Sequence, residues 1–476
     1  MRNLTMMTDL YQLTMMYGYF KSGMTRNVAV FDMFFRRLRP NSAYCIMAGT
    51  DSLIEYINNL HFSQEDVDYL RSLKLFDEDF LRALSEMRFT GEIYAMPEGT
   101  VVFPYEPLVR VKAPIMEAQL VETALLNLIN SQTLIASKAS RVVYAANGDL
   151  VMEFGLRRAQ GPDAGIYGAR AAVIAGCGGT SNVLTGQWFD VKVMGTHAHS
   201  WVQSFPSELD AFRAYANTYP DACMLLVDTY DTLKSGVPNA IKVFDELRAS
   251  GHEPMGIRLD SGDLAYLSKQ ARIMLDEAGY PDVGICASSD LDEFVIRDLK
   301  MQGAKINSWG VGTKLITSED YPALGGVYKM SAEIVDGKMT PKIKLSENIE
   351  KMTNPGYKKV LRFYNKEGMA IADLIAMDDE TIDNTKPLRI YHPEYAYKNK
   401  IISDFTIREL LVPLFIDGKQ VYTSPSVMEI QAYCRRELDT FYEESKRILN
   451  PHTYKVDISD QLYDLKQVLI RQNREQ

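Results

Sequence analysis

Histidine and cysteine are both scarce in this chain, and each shortage excludes something. The five cysteines of the 476 residues, Cys45, Cys177, Cys223, Cys286 and Cys434, are odd in number and lack paired spacing. They exclude a disulfide framework and a cysteine-held zinc site, and read as reduced core thiols. No apolar run approaches the roughly 18 residues of a membrane span, and Met1-Arg2-Asn3-Leu4-Thr5 lacks the apolar core of a secretion signal. Basic residues do not exceed acidic ones: 52 Lys and Arg face 62 Asp and Glu, for a net charge of -10. That balance argues against a nucleic-acid surface, although an acidic whole can contain a basic pocket. The expectation is a cytoplasmic protein with neither nucleic-acid nor membrane partners.

Against only six histidines, Val191-Lys192-Val193-Met194-Gly195-Thr196-His197-Ala198-His199-Ser200-Trp201 stands out. A short apolar run reads as a buried strand, stops at a glycine, then presents a threonine, two histidines and a serine before helical patterning near Pro206. Two histidines within three residues at a strand end suit proton or phosphate handling. Zinc hydrolases also place His-x-His after a strand, but need further ligands from other strand ends. Here His61, His252, His392 and His452 fall elsewhere.

The length suits two or three domains. Residues 1–147 read as an N-terminal α+β domain. It has a helix over 8–19 bearing Tyr11 and Met15 on one face, a strand over 28–34 followed by the basic turn Arg36-Arg37-Leu38-Arg39, and an acidic helical stretch over 50–87. Antiparallel strands over 90–113 and a long helix over 117–146 complete it. From 148 to 330 strand and helix alternate. Strands are predicted over 150–154, 191–194, 223–227, 255–259, 284–287 and 308–311, and helices over 167–175, 208–215, 239–249, 264–278 and 291–301. That cadence implies parallel strands with crossover helices. Residues 331–476 read as a β meander and amphipathic helices packing back on the rest, with Val335-Asp336-Gly337-Lys338 as a hairpin turn and the acids of 378–380 as a solvated loop.

Polar groups follow six of the predicted strand ends: Gly155-Leu156-Arg157-Arg158, Gly195-Thr196-His197-Ala198-His199, Asp228-Thr229-Tyr230-Asp231, Arg258-Leu259-Asp260-Ser261-Gly262-Asp263, Ser288-Ser289-Asp290 and Gly310-Val311-Gly312-Thr313. Such groups converging on one rim are expected at the carboxyl face of a TIM-like α/β barrel, incomplete or irregular, whereas a doubly wound sheet concentrates them at one switch point. The barrel is the favoured fold. Three rim loops look built for phosphate: the His-x-His loop, Ser308-Trp309-Gly310-Val311-Gly312-Thr313, and Cys177-Gly178-Gly179-Thr180-Ser181-Asn182. Arg157, Arg158 and Arg258 supply charge for a polyanion or carboxylate. Asp228, Asp260 and Asp263 suit Mg²⁺, directly or through water.

Taken together, Thr8-Asp9-Leu10-Tyr11-Gln12, Phe154-Gly155-Leu156-Arg157-Arg158-Ala159, Gly195-Thr196-x-Ala198-His199-Ser200, Arg258-Leu259-Asp260-Ser261-Gly262-Asp263, Gly310-x-Gly312-Thr313 and Leu324-Gly325-Gly326-Val327-Tyr328-Lys329 closely resemble the nicotinate phosphoribosyltransferase family. The resemblance runs in register over residues 8–329. It implies ATP-coupled transfer of phosphoribosyl from 5-phosphoribosyl 1-pyrophosphate to nicotinate, with Mg²⁺. His199 would be the phosphohistidine, Arg157 and Asp260 would join it in catalysis, and Tyr11, Thr196 and Arg258 would contact nicotinate. Thr313, Gly312, Gly310 and Ser288 would hold the phosphoribosyl donor. Any metal would be held at Asp260 or Asp263 through water, and His197 occupies the variable position of its motif. The family also implies a homodimer in which Tyr11 reaches the partner's active site. Nicotinamide-using relatives carry an acid near the Gly179-Thr180-Ser181 loop, so Ser181 implies nicotinate as substrate.

Overall fold

The computed structural model describes residues 3–393, 395 and 397–474. The chain forms two compact units: one takes the chain up to Leu134, Ala323–Pro425 and the stretch from Ala432, and the other takes Ile135–Pro322 with Ser426–Gln431.

In the first unit a seven-stranded antiparallel sheet runs in the order Lys338–Pro341, Gly326–Val335, Val28–Phe35, Val109–Pro114, Glu92–Ala95, Val412–Ile416, Lys419–Gln420. Val28–Phe35 has neighbours on both edges and is apolar at all but Asp32; every residue but Val28 is buried, Asp32 included. The expected hairpin forms at Val335↔Lys338, with Asp336 and Gly337 both at positive φ (51° and 73°). That pair gives the primed turn whose twist matches the strands it joins. The N-terminal helix is Leu10–Lys21. The acidic stretch forms the helices Thr50–Asn58, Gln64–Ser72 and Glu78–Glu86, and after a short Ile115–Leu120 comes the long helix Glu122–Ala146, whose residues from Ile135 on belong to the second unit.

A second six-stranded sheet of this unit centres on Lys358–Tyr364 and Ala370–Met377. At its core the Arg362 side chain is fully buried. Its Nη2 donates to Asp373 Oδ2 at 2.6 Å and to the Val101 carbonyl at 2.7 Å, and its Nη1 donates to Glu437 Oε2 at 3.1 Å. Phe103 and Phe441 lie 5.6 and 5.0 Å from the guanidinium. The acids of 378–380 are less free than expected. Asp378 Oδ1 accepts from Arg110 Nη1 at 2.8 Å and Glu380 Oε2 accepts from Ser459 Oγ at 2.6 Å, so two of the three are spent on contacts distant in sequence.

The second unit carries six parallel strands in the order Gly179–Thr180, Leu150–Glu153, Ser308–Val311, Gly284–Ser288, Gly256–Leu259, Met224–Leu226. Intervening helices are Pro162–Ile174, Glu208–Thr218, Val237–Ala249, Leu264–Glu277 and Glu293–Met301, each within a few residues of expectation. One expected strand fails. The strand over 191–194 does not form: Val193 makes a lone parallel bridge to Thr180, where Thr180 N donates to Lys192 O and Met194 N donates to Thr180 O. A left-handed Asp190 (φ 52°) turns the chain into this stretch, and the stretch is paired along one side alone. As a result no ladder joins it to Met224–Leu226 among the described residues, and the sheet is open on that side, where a TIM-like barrel, incomplete or irregular, was expected.

Removing the cation from the Arg362 cluster leaves Asp373 and Glu437 buried without their shared partner. Arg362→Met is therefore expected to cost about 3–5 kcal/mol, read as a lower urea midpoint with unchanged slope.

Candidate active site

Four of the residues singled out in the sequence meet around one guanidinium. Arg258, on Gly256–Leu259, donates from Nε to Ser288 Oγ at 2.8 Å, from Nη1 to Thr196 Oγ1 at 3.1 Å and from Nη2 to Asp260 Oδ1 at 3.1 Å. Ser288 Oγ donates in turn to the same Asp260 oxygen. Adjacent parallel strands make this possible, because Arg258 pairs in register with Cys286, two residues before Ser288. The guanidinium lies 5.5 Å from the Phe154 ring centre.

Beside this network stands Asp228, immediately after the apolar Met224–Leu226 strand and Val227. Its carboxylate is 1% exposed, yet it holds the 39% exposed His199, with His199 Nε2 at 3.1 Å from Oδ1. Its other oxygen accepts from Asp260 N at 2.8 Å and from Ser261 Oγ at 2.6 Å. One buried carboxylate thus joins the histidine loop to the loop after Arg258. His199 itself opens a short helix, His199–Gln203, rather than lying in an extended loop.

Gly310 sits beside Ser288 in the ladder, and a Cβ there would come within 2.6 Å of the Phe154 ring, so no side chain fits. Gly312 precedes the short helix Thr313–Ile316, whose first residue, Thr313, is half-buried. Ser289 and Asp290 follow with positive φ (97° and 43°), the kind of backbone strain that gathers at ligand sites.

Other predicted residues stand outside the hydrogen-bond network. Arg157 lies in the exposed turn Leu156–Arg158 with no ion-pair partner among the described residues. Asp263 Oδ1 caps the Leu264–Glu277 helix by accepting from Tyr266 N at 3.0 Å. Tyr11 belongs to the other unit, 49% exposed on its helix. The loop over 177–182 is not an open phosphate cradle: Gly179–Thr180 is an edge strand, and the buried Thr180 hydroxyl donates to Glu153 Oε2 at 2.6 Å. Glu153 was missed, though an acid inside Leu150-Val151-Met152-Glu153-Phe154 is a visible anomaly. Burial pushes its carboxyl up, against the hydrogen bonds from Thr180 and Gly155 N. Phe154 carries no such signal in the sequence. Its importance depends on where Arg258 and Gly310 fall.

His197 is buried and packs edge-on against Tyr215 at 4.7 Å. Burial lowers its pKa from 6.5 to about 4; the Ala198 carbonyl opposes the shift, while Arg258 and His199 add to it. The folded value lies below the unfolded one, so between these limits the unfolded chain takes up the proton first. Stability is then complete above about pH 6.5 and falls as pH drops toward 4, by on the order of 3 kcal/mol. Urea midpoints followed from about pH 7.5 down to 4 should show this decline in the native chain and a shallower one in His197→Phe.

Three family models match in succession: the nicotinate phosphoribosyltransferase N-terminal domain over residues 6–130, the nicotinate phosphoribosyltransferase family over 150–366, and its C-terminal domain over 357–466. The chain is 48% identical to nicotinate phosphoribosyltransferase of Bacillus subtilis, covering 98% of this chain and 94% of that one. It is 36% identical to that of Dictyostelium discoideum, over 96% and 87%. The crystal structure of human nicotinic acid phosphoribosyltransferase superposes with a TM-score of 0.86 at 29% identity, covering 97% of this chain and 99% of that one. With near-complete coverage at such identity, the chain belongs to the nicotinate phosphoribosyltransferase family.

Proposed function

We propose that this protein transfers phosphoribosyl from 5-phosphoribosyl 1-pyrophosphate to nicotinate, coupled to ATP, giving nicotinate mononucleotide, pyrophosphate, ADP and phosphate, the first step of NAD synthesis from nicotinate. The observation that carries this reading is the paired arrangement of a His199–Asp228 dyad and an Arg258–Thr196–Asp260–Ser288 network joined through Asp228.

His199 is the phosphoacceptor. With Nε2 held as a donor to Asp228, the lone pair is on Nδ1, which attacks the γ-phosphorus of ATP as the bond to ADP breaks. The buried carboxylate stabilises the positive ring that results, and hydrolysis of the phosphoramidate returns phosphate. Phosphorylation adds about two negative charges to this loop, which reorders it around the donor.

In the transfer step the pyridine nitrogen attacks the anomeric carbon while pyrophosphate leaves, through an oxocarbenium-like state that requires no protein nucleophile. Arg258 has five N–H donors and spends one each on Ser288, Thr196 and Asp260, which leaves two for the nicotinate carboxylate. Ser181 keeps that carboxylate clear of acidic repulsion. Arg157, exposed and without an ion-pair partner among the described residues, faces the departing pyrophosphate charge, an effect worth about 3 kcal/mol for a well-placed donor. Gly310, Gly312, Thr313 and Ser288 form the phosphoribosyl donor site. Asp260 Oδ2 stands outside the hydrogen bonds made by Oδ1, and with Asp263 suits water-mediated Mg²⁺, which would neutralise pyrophosphate oxygens.

Three structural readings accompany this one. The open sheet is an irregular barrel, supported by neighbours that follow chain order from Leu150–Glu153 through Gly179–Thr180 to Val193, and from Met224–Leu226 through Ser308–Val311 back to Leu150–Glu153. The division into 1–147, 148–330 and 331–476 is supported at its first boundary by family matches that end at 130 and resume at 150, and near its second by the end of the second unit's main segment at Pro322. A homodimer in which Tyr11 completes the partner's site is supported by Leu10, Tyr11 and Met15, all exposed on one helix. No described helix is long and apolar enough to cross a membrane, and five buried free thiols support a cytoplasmic location.

The test is mononucleotide formation from nicotinate, nicotinamide and quinolinate, each with 5-phosphoribosyl 1-pyrophosphate and Mg²⁺, with and without ATP. Product from nicotinate alone, accelerated by ATP with matching ADP release, is expected, and no product from nicotinate would overturn the reading. His199→Ala should lose the ATP stimulation while a slow ATP-independent transfer persists. Arg258→Gln should lower kcat/KM for nicotinate by about 10²-fold or more, since one charged donor group at a developing site is worth that much.

A further inference from the structure

The sheet of the second unit ends at Met224–Leu226, and among the described residues no strand pairs with its free edge. Val227 N, one residue on, donates to Arg258 O of the neighbouring strand, so Leu226 N points the opposite way, toward the missing neighbour. A buried backbone N–H without an acceptor costs free energy comparable to a lost hydrogen bond. Leu226 N is not left bare: it donates to His197 Nε2 at 3.2 Å. The imidazole stands where a strand carbonyl would be. Since Nε2 accepts here, the ring proton lies on Nδ1, directed at the Ala198 carbonyl at 3.4 Å.

The spacing gives this contact its consequence. His197 reaches Leu226 across 29 residues, and His199 reaches Asp228 across the same 29. Residues 197–199 therefore run alongside 226–228 in parallel register, with two histidine side chains as the rungs that a backbone ladder would otherwise supply. Immediately before the first rung, Thr196 Oγ1 accepts from Arg258, so the same short loop also carries a member of the guanidinium network. Phe212 and Tyr215 close over the His197 ring at 6.4 and 4.7 Å and leave it little room to turn.

We propose that His197 is a positioning residue for the reaction: by bridging to Leu226 N across the unpaired edge of the sheet, it sets the register that holds His199 against Asp228. The proposal rests on the reading of His199 as phosphoacceptor for its functional consequence, but not for its geometry. The two histidines should then be neutral in opposite tautomers, His197 with its proton on Nδ1 and His199 with its proton on Nε2.

Nitrogen NMR of ¹⁵N-histidine-labelled full-length protein, at about pH 8 and without substrates, reports the ring nitrogens of all six histidines, and those of the pair are assigned by the signals lost in His197→Phe and in His199→Ala. In the native chain the two opposite tautomers are expected. In His197→Phe, which keeps the ring volume without an acceptor, His199 should lose its fixed Nε2–H signature. Phosphate incorporation from ATP at His199 should fall about tenfold or more, as small displacements of a reacting group do. His197→Gln, whose amide oxygen has about the reach of Nε2, should restore both. The idea is overturned if His199 keeps its signature and its incorporation rate in His197→Phe, or if His197→Gln fails as badly as His197→Phe. Should His197→Phe not fold, His197→Asn, whose amide stops short of Leu226, takes its place in the same comparison with His197→Gln. A native chain that incorporates no phosphate would remove the functional reading, and the tautomer comparison would still decide the positioning role.

Discussion

Everything at the candidate site depends on one buried carboxylate. Asp228 spends Oδ1 on His199 and Oδ2 on two donors of the Arg258 loop, and it can do so because its strand ends just before it and leaves the side chain under both loops. A buried carboxylate is tolerable when its lone pairs are occupied, and here three donors from two loops occupy them. The same economy keeps Arg258 half-committed. Three donors fix its plane between Thr196, Asp260 and Ser288, and the rest are available to an anion.

The open edge of the parallel sheet explains why histidines dominate this corner. A strand over 191–194 would have covered Met224–Leu226 with backbone acceptors, but the chain pairs with Thr180 instead and then departs. Side chains must then satisfy what a ladder would have satisfied. His197 does this for Leu226 N, and its burial among aromatic rings keeps it neutral at ordinary pH, which is the state that an acceptor nitrogen requires.

Much of the architecture was legible in the sequence because it is written in local chemistry. The alternation of apolar strands with helical stretches over 150–311, the Asp336-Gly337 turn, and the clustering of Arg258, Asp260, His199 and Ser288 at strand ends all depend on periodicity and turn propensity within a few residues. Legibility stopped where a residue's role depends on a partner distant in the chain. Gly179-Thr180 looks like a phosphate loop until Glu153 claims its hydroxyl, and Asp378 looks solvated until Arg110 reaches it.

By itself, then, the sequence determined most of the strands and helices, though not Gly179–Thr180 nor the loss of a strand over 191–194, and it determined that the strands of the second unit run parallel and which polar residues stand at their ends. Backbone propensity and side-chain periodicity are local properties and survive without knowledge of the fold. Tertiary structure alone decided that the sheet stays open beside Leu226, that Asp228 rather than another acid holds His199, and that the Phe154 ring lies against the Arg258 guanidinium. Those outcomes depend on which edges find a backbone partner and which buried groups are left to find a side chain.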